Sequence, residues 1–313
     1  MYETVLKNEF YFQSTSKLSD IHAVEWLPQG EAKAVLQIVH GVAEYIERYD
    51  DFASFLTSHG FAVVGNDHLG HGKSFHFEDE MGWFGDDHGW HKVCDDMKKL
   101  YDLEKEKFPD KPYFLLGHSM GSFLARTYII DYPDDLDGVI ISGTGWQHAL
   151  TCDAGMALAD MEIRLHGSKY RSDTLQKIAF GGYLKNIENP ATENDWISRD
   201  AELVKRYTED TLCGYTATAG LMREMMYGIR YIGRDSKLAA MNRSMPVFFF
   251  SGAEDPVGDW SKGVQQTAAS FLTAGMRDVT VKLYEGGRHE MLNEINKQEV
   301  YEDVLAWLQL KMR

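Results

Sequence analysis

Residues 112–127, PYFLLGHSMGSFLART, pass from a short apolar run through Gly117-His118-Ser119-Met120-Gly121 into a stretch with helical spacing. Few backbone conformations accept that order. The run 113–116 reads as a buried strand. Phe123, Leu124, Tyr128 and Ile129 recur at helical intervals, so 119–132 reads as a helix. Only the pentapeptide lies between them. So abrupt a turn needs small residues two positions either side of its apex, and Gly117 and Gly121 supply them. Such a turn lifts the Ser119 hydroxyl clear of the sheet. It also sets backbone N–H groups at a helix N-terminus beside it, facing the place where an oxyanion would form.

The chain around this turn repeats the same alternation. Residues 24–27, 34–39 (AVLQIV), 61–64 and 139–142 read as strands, and 9–14 (EFYFQS) reads as an antiparallel edge strand. Helical spacing covers 44–58, closed by Gly60, and 90–108, closed by Pro109. Strands return at 246–251 (PVFFFS) and 279–284, with helices at 261–274 and 297–312. Strand–helix–strand alternation over this length implies a mostly parallel sheet with helices on both faces. Between about 145 and 243 strand signals fade and helical spacing dominates. The expected organisation is therefore a core from residues 1–144 and 244–313, interrupted by a helical insertion at 145–243. Trp146, Met156, Met161, Met222, Met225, Met226, Tyr227 and Tyr231 lie in that insertion. They suit either its packing or an adaptable apolar wall over a pocket.

A serine nucleophile needs a base and an acid to orient it. On this kind of scaffold the order along the chain is Ser, then Asp or Glu, then His. Asp255 follows the strand at 246–251, with Glu254 and Asp259 as nearby rivals. His289 follows the strand at 279–284 and is the only one of 12 histidines beyond Asp255. In the expected chemistry His289 takes the proton from Ser119, Asp255 holds the imidazole in the useful tautomer, and an acyl-enzyme forms. Backbone N–H groups of Val42 and Met120 are the expected oxyanion donors, with Gly41 letting the backbone approach the substrate. Gly41, His118, Trp146 and Val257 are the expected substrate contacts. His40 reads as a structural residue bonded to backbone. Glu44 and Arg48, four apart, read as a local ion pair.

Composition excludes several alternatives. The net charge of −16 would repel nucleic acid phosphates. No run reaches the roughly 18 apolar residues of a membrane span. The N-terminal residues lack a signal-peptide pattern, so the cytoplasm is the expected location. The three cysteines, Cys94, Cys152 and Cys213, form neither a disulfide framework nor a metal-ligand spacing. Asp67-His68-Leu69-Gly70-His71-Gly72 superficially suggests a metal or phosphate loop. Its ligands crowd one tight turn, so a loop-shaping role is expected. No metal and no cofactor is expected.

Five segments, HGVAEY, FAVVGNDHLGHGKS, GHSMG, SGAEDPVGD and GGRHEMLNE, occur in order across residues 35–293. Together they resemble the monoacylglycerol lipase and lysophospholipase branch of the α/β hydrolases. The resemblance implies an α/β-hydrolase fold and carboxylic ester hydrolysis by Ser119, Asp255 and His289, with Val42 and Met120 as oxyanion donors. The insertion becomes a cap that shapes an acyl pocket. The implied substrate is a small ester with an apolar acyl chain, such as a monoacylglycerol or lysophospholipid. Transient membrane contact through the cap is compatible with this, whereas stable insertion is not. The sequence departs from the family's HG-x-GEH motif at Ala43 and Tyr45, which bears on the pocket entrance. Acyl transfer, thioester hydrolysis and peptide hydrolysis use the same triad. A non-catalytic binding protein on this fold would normally have lost a triad member.

Overall fold

A computed structural model describes residues 6–312. Its centre is one sheet of eight strands: β1 (Leu6–Gln13), β2 (Asp20–Leu27), β3 (Ala34–Val39), β4 (Phe61–Asn66), β5 (Tyr113–His118), β6 (Gly138–Ser142), β7 (Val247–Gly252) and β8 (Val279–Tyr284). Their spatial order is β1-β2-β4-β3-β5-β6-β7-β8. β1 pairs antiparallel with β2, and β2 with β4; all other pairings are parallel. β3 to β7 are buried along their whole length. That is why their sequences are nearly continuous apolar runs rather than alternating ones.

The helices are α1 (Asp50–Ser58), α2 (Gly89–Lys107), α3 (Met120–Asp131), α4 (Ala149–His166), α5 (Asp173–Phe180), α6 (Ala201–Glu209), α7 (Ala219–Ile232), α8 (Asp235–Leu238), α9 (Lys262–Thr273) and α10 (Lys297–Lys311). One sheet face is covered by α2, α3 and α9 through Met97, Leu100, Phe123, Tyr128, Val264 and Phe271. The other is covered by α1 and α10 through Phe52, Phe55, Val300, Val304 and Leu308. This is the α/β-hydrolase architecture that the resemblance implies.

Two expectations are corrected in detail. The helix expected at 44–58 starts later, because Ile46–Tyr49 forms a 3₁₀ turn before α1. Long-range bonds take over that first turn: the Ile46 N–H donates to Asp67 across 2.8 Å. Ser119 lies outside the helix that follows it, with φ +55° and ψ −122°.

Helices α4 to α8 all fall between β6 and β7, in the region expected to be helical. They do not form a detached unit, because α7 is fixed to the core. A Cβ on Gly228 would lie 2.1 Å from the Trp90 indole, so α7 rests flat on that ring. The Trp90 N–H donates to Glu224 of α7 across 2.8 Å, and its indole N–H donates to Thr127 of α3 across 2.9 Å. Helix α4 packs on α7 as an outer layer. Thr218 and Asp200 cap α7 and α6, each accepting from backbone N–H groups in the first turn.

Candidate active site

The loops after β3, β5, β7 and β8 converge at the C-terminal edge of the parallel strands, where ligands of open α/β sheets collect. Ser119 forms the apex of the turn between β5 and α3. Its left-handed φ is strained for a residue with a side chain, and the packing around it enforces the strain. A Cβ at Gly117 would meet the Gly121 carbonyl oxygen at 2.3 Å, and one at Gly121 would meet those of Val39 and His40 at 2.0 and 2.5 Å. Both obstacles are backbone, so nothing can swing aside. Gly121→Ala is expected to cost about 3 kcal/mol or more, read as a fall in the urea unfolding midpoint. An unchanged midpoint would mean that the turn relaxes freely.

His289 is buried, and its Nδ1 lies 3.0 Å from both carboxylate oxygens of Asp255. Asp255 also accepts from the Ser251 hydroxyl at 3.0 Å and the Val257 N–H at 2.9 Å. Glu254 and Asp259 are exposed. Burial pushes the Asp255 carboxyl up, but His289 and the two donors outweigh it, leaving it below the usual range. Burial likewise pulls the His289 imidazole down, and the Asp255 carboxylate, aided by Glu290 and Glu44, lifts it above the ordinary histidine value. An ionised Asp255 accepts the Nδ1–H, which leaves Nε2 as the basic nitrogen.

Ser119 and His289 line one cavity of about 350 Å³, together with Gly41, Val42, Glu44 and His118. Ser119 also lines a second cavity of about 650 Å³. Its walls are apolar: Phe123, Leu150, Leu158 and Leu175, with Met222, Met225, Met226 and Ile229 from α7. Val42, Ser119, Phe180 and Trp196 border both cavities. Met120 and Val257 border the apolar one. Met120 is the first residue of α3, so its N–H belongs to the helix end that has no intrahelical acceptor.

Other expected residues sort less simply. Trp146 borders neither cavity; its ring meets His148 edge-on at 4.3 Å. Its neighbours Gly145 and Gln147 do border the apolar cavity. Of the methionines and tyrosines in the insertion, Met222, Met225 and Met226 form cavity wall, whereas Tyr227 and Tyr231 pack on His91. His118 borders the polar cavity and bonds Ser142 at 3.3 Å, and burial beside His289 pushes its pKa down to about 3. His40 bonds the Gly41 carbonyl at 2.8 Å and accepts the His68 N–H at 3.0 Å. Asp67 accepts the Ile46 and Lys73 N–H groups, so the loop after β4 is shaped by its own carboxylate.

Glu44 and Arg48 are more than the local pair the spacing suggested. Glu44 is buried and the Arg48 side chain nearly so, and Arg48 also forks onto Glu290 with bonds of 2.9 and 2.6 Å. Glu44 accepts from Arg48 at 2.6 Å, from the Tyr49 hydroxyl at 3.0 Å and from the Gly41 N–H at 2.5 Å. The Arg48 guanidinium lies 4.8 Å over the Tyr207 ring. One cation thus joins the loop bearing Gly41 and Val42 to the loop bearing His289. Burial raises the Glu44 carboxyl; burial raises Glu290 too, but its fork with Arg48 outweighs that and keeps it low. No role was assigned from sequence to Trp196, nor to Glu290, although Glu290 directly follows His289 within the segment GGRHEMLNE.

The family model described as serine aminopeptidase, S33, matches residues 30–296. The chain is 26% identical to a monoacylglycerol lipase of Mycolicibacterium smegmatis over 90% of both chains, and 27% identical to mouse monoglyceride lipase over 90% of this chain and 84% of that one. A carboxyl esterase from Bacillus coagulans, solved with glycerol, superposes over 99% of this chain and all of its own with a TM-score of 0.91 at 27% identity. A sheet of this topology, a strained serine between β5 and α3, and a family match over most of its length make this chain a member of the serine aminopeptidase (S33) family of α/β hydrolases.

Proposed function

We propose that Ser119 attacks the carbonyl carbon of a carboxylic ester carrying one apolar acyl chain, with His289 as general base and Asp255 orienting it. Carboxylic ester hydrolysis is the reaction class of this chain. The Ser119 proton passes to Nε2 of His289 as Oγ bonds to the carbonyl carbon. The N–H groups of Val42 and Met120 receive the developing oxyanion. The tetrahedral adduct collapses, the alcohol leaves with the proton from His289, and the acyl group stays on Ser119. Water, deprotonated by His289, then releases the acid.

The observation that carries the substrate reading is the 650 Å³ apolar cavity that opens on Ser119 beside a smaller polar one. The volume lies within the range of small-molecule sites. The acyl chain takes the apolar cavity and the alcohol takes the polar one, as a monoacylglycerol or a lysophospholipid requires. Residues 145–243 act as the cap over both. Leu150 and Ile178 border the apolar cavity and are 82% and 68% exposed, so its mouth is greasy. That suits brief contact with a lipid surface. Among the described residues no helix is long and apolar enough to cross a membrane.

The test is a chain-length series from acetyl to palmitoyl, as p-nitrophenyl, glycerol and lysophospholipid esters. The expected result is a kcat/KM that rises with chain length and peaks beyond butyryl. A maximum at acetyl would refute the acyl-cavity assignment.

A further inference from the structure

Residues 195–199 of the insertion are bonded to residues 288–294, the loop that carries His289. The His289 and Glu290 N–H groups donate to the carbonyls of Trp196 and Ile197 at 3.4 and 2.7 Å. Arg288 donates to the carbonyls of Asp195 and Ser198 at 2.6 and 3.0 Å, and Arg199 pairs with Glu294 at 3.1 Å. These bonds hold the Trp196 indole against the imidazole, with ring centroids 4.9 Å apart and planes at 41°. Tyr183 buttresses the indole at 4.8 Å. His118 lies against the same imidazole at 4.6 Å.

We propose that Trp196 is a positioning residue that stabilises the imidazolium form of His289 through its ring face, so that the insertion tunes the strength of the base. The inference rests on the acyl-enzyme reading above. A cation within about 6 Å of an indole centroid is attracted by the ring's negative face. His289 is neutral before it takes the Ser119 proton and cationic afterwards, so the attraction grows as the reaction proceeds. It therefore lowers the barrier rather than merely tightening binding. The charged groups facing His289 are Asp255 from the loop after β7, Glu44 and Arg48 from the segment after β3, and Glu290 on its own loop. His118, from the end of β5, is neutral. Trp196 does not titrate, so replacing it changes none of these charges.

The sign of the effect separates this role from simple shielding. Losing a ring that stabilises the cation lowers the His289 pKa. Losing a ring that merely excluded water raises it, since burial disfavours the charged form. The experiment measures kcat and KM of Trp196→Phe and Trp196→Leu against pH, with p-nitrophenyl butyrate as probe. Ser119→Ala is run alongside, and circular dichroism verifies folding. For Trp196→Leu the acid limb of kcat/KM is expected to move down by about 0.4–1.5 pH units, the span of a cation–π contact. Its plateau kcat is expected to fall several-fold at little-changed KM, and Trp196→Phe is expected to restore most of both. An unmoved or upward-shifted limb, or a change confined to KM, would overturn the proposal. An active Ser119→Ala would instead overturn the acyl-enzyme reading, so the two failures are distinct.

Discussion

Ser119→Ala is expected to lower kcat/KM on a carboxylic ester by on the order of 10⁶-fold, the scale seen when a serine hydrolase loses its nucleophile. The argument depends on the loss being chemical rather than structural. Alanine keeps the Cβ and adds no atom, so the strained turn at φ +55° is no worse for it. The turn is held by backbone bonds that survive the change: the Ser119 N–H to the Ser142 carbonyl at 3.0 Å, and the Ser122 N–H to the Ser119 carbonyl at 2.8 Å. Stability should therefore stay within about 0.5 kcal/mol of the parent. His289, Asp255 and both cavities remain, so a substrate still binds but has no oxygen to attack it. Burst kinetics with a p-nitrophenyl ester provide a second readout: the parent releases a stoichiometric burst if deacylation is slow, and the variant releases none. Retention of more than a hundredth of the parent's turnover would remove Ser119 from the mechanism.

Arg48→Met should be the most damaging substitution away from the reacting atoms. Methionine fills much of the space but strands the Glu44 and Glu290 carboxylates in a buried site. Breaking a buried ion pair from one side costs about 3–5 kcal/mol, because the remaining charge has no partner. Activity should fall with stability, since Glu44 holds the Gly41 N–H and Glu290 adjoins His289. Two controls identify the cause. Glu44→Gln and Glu290→Gln added to Arg48→Met should recover much of the lost stability, because the stranded charges are gone. The single variant's deficit should also shrink in acid. A buried carboxylate without its cation has a raised folded pKa, so it costs stability above its unfolded value of about 4.3 and stops doing so once protonated. Urea unfolding at several pH values measures this, and a pH-independent deficit would point to packing instead.

Much of this molecule was legible along the chain because its signals are local. The strands β3 and β5 through β8 stand within a residue or two of their expected bounds, since an apolar run between turn residues is a short-range pattern. The Gly117–Gly121 turn is also local: two glycines four positions apart let β5 and α3 approach. Asp255 and His289 were marked by their places after late strands. Asp255 was preferred to Glu254 and Asp259 for its place in the loop, and its burial and 3.0 Å contact with His289 support that preference.

What the sequence left open involves residues far apart in the chain. Arg48 and Glu44 looked like a local ion pair, because the third member, Glu290, lies 242 positions from Arg48. Trp146 was expected at the substrate and Trp196 was not singled out, since only the path of the insertion decides which tryptophan turns inward. The sequence by itself marked most of the strands, the abrupt turn at Ser119 and the candidate acid and base after two late strands, because each of those signals rests on spacing within a dozen residues. Only the tertiary structure decided which side chains wall the cavities, which cation ties the loops together and which ring lies against His289. Those outcomes depend on how distant segments pack, and one-dimensional periodicity carries no record of that.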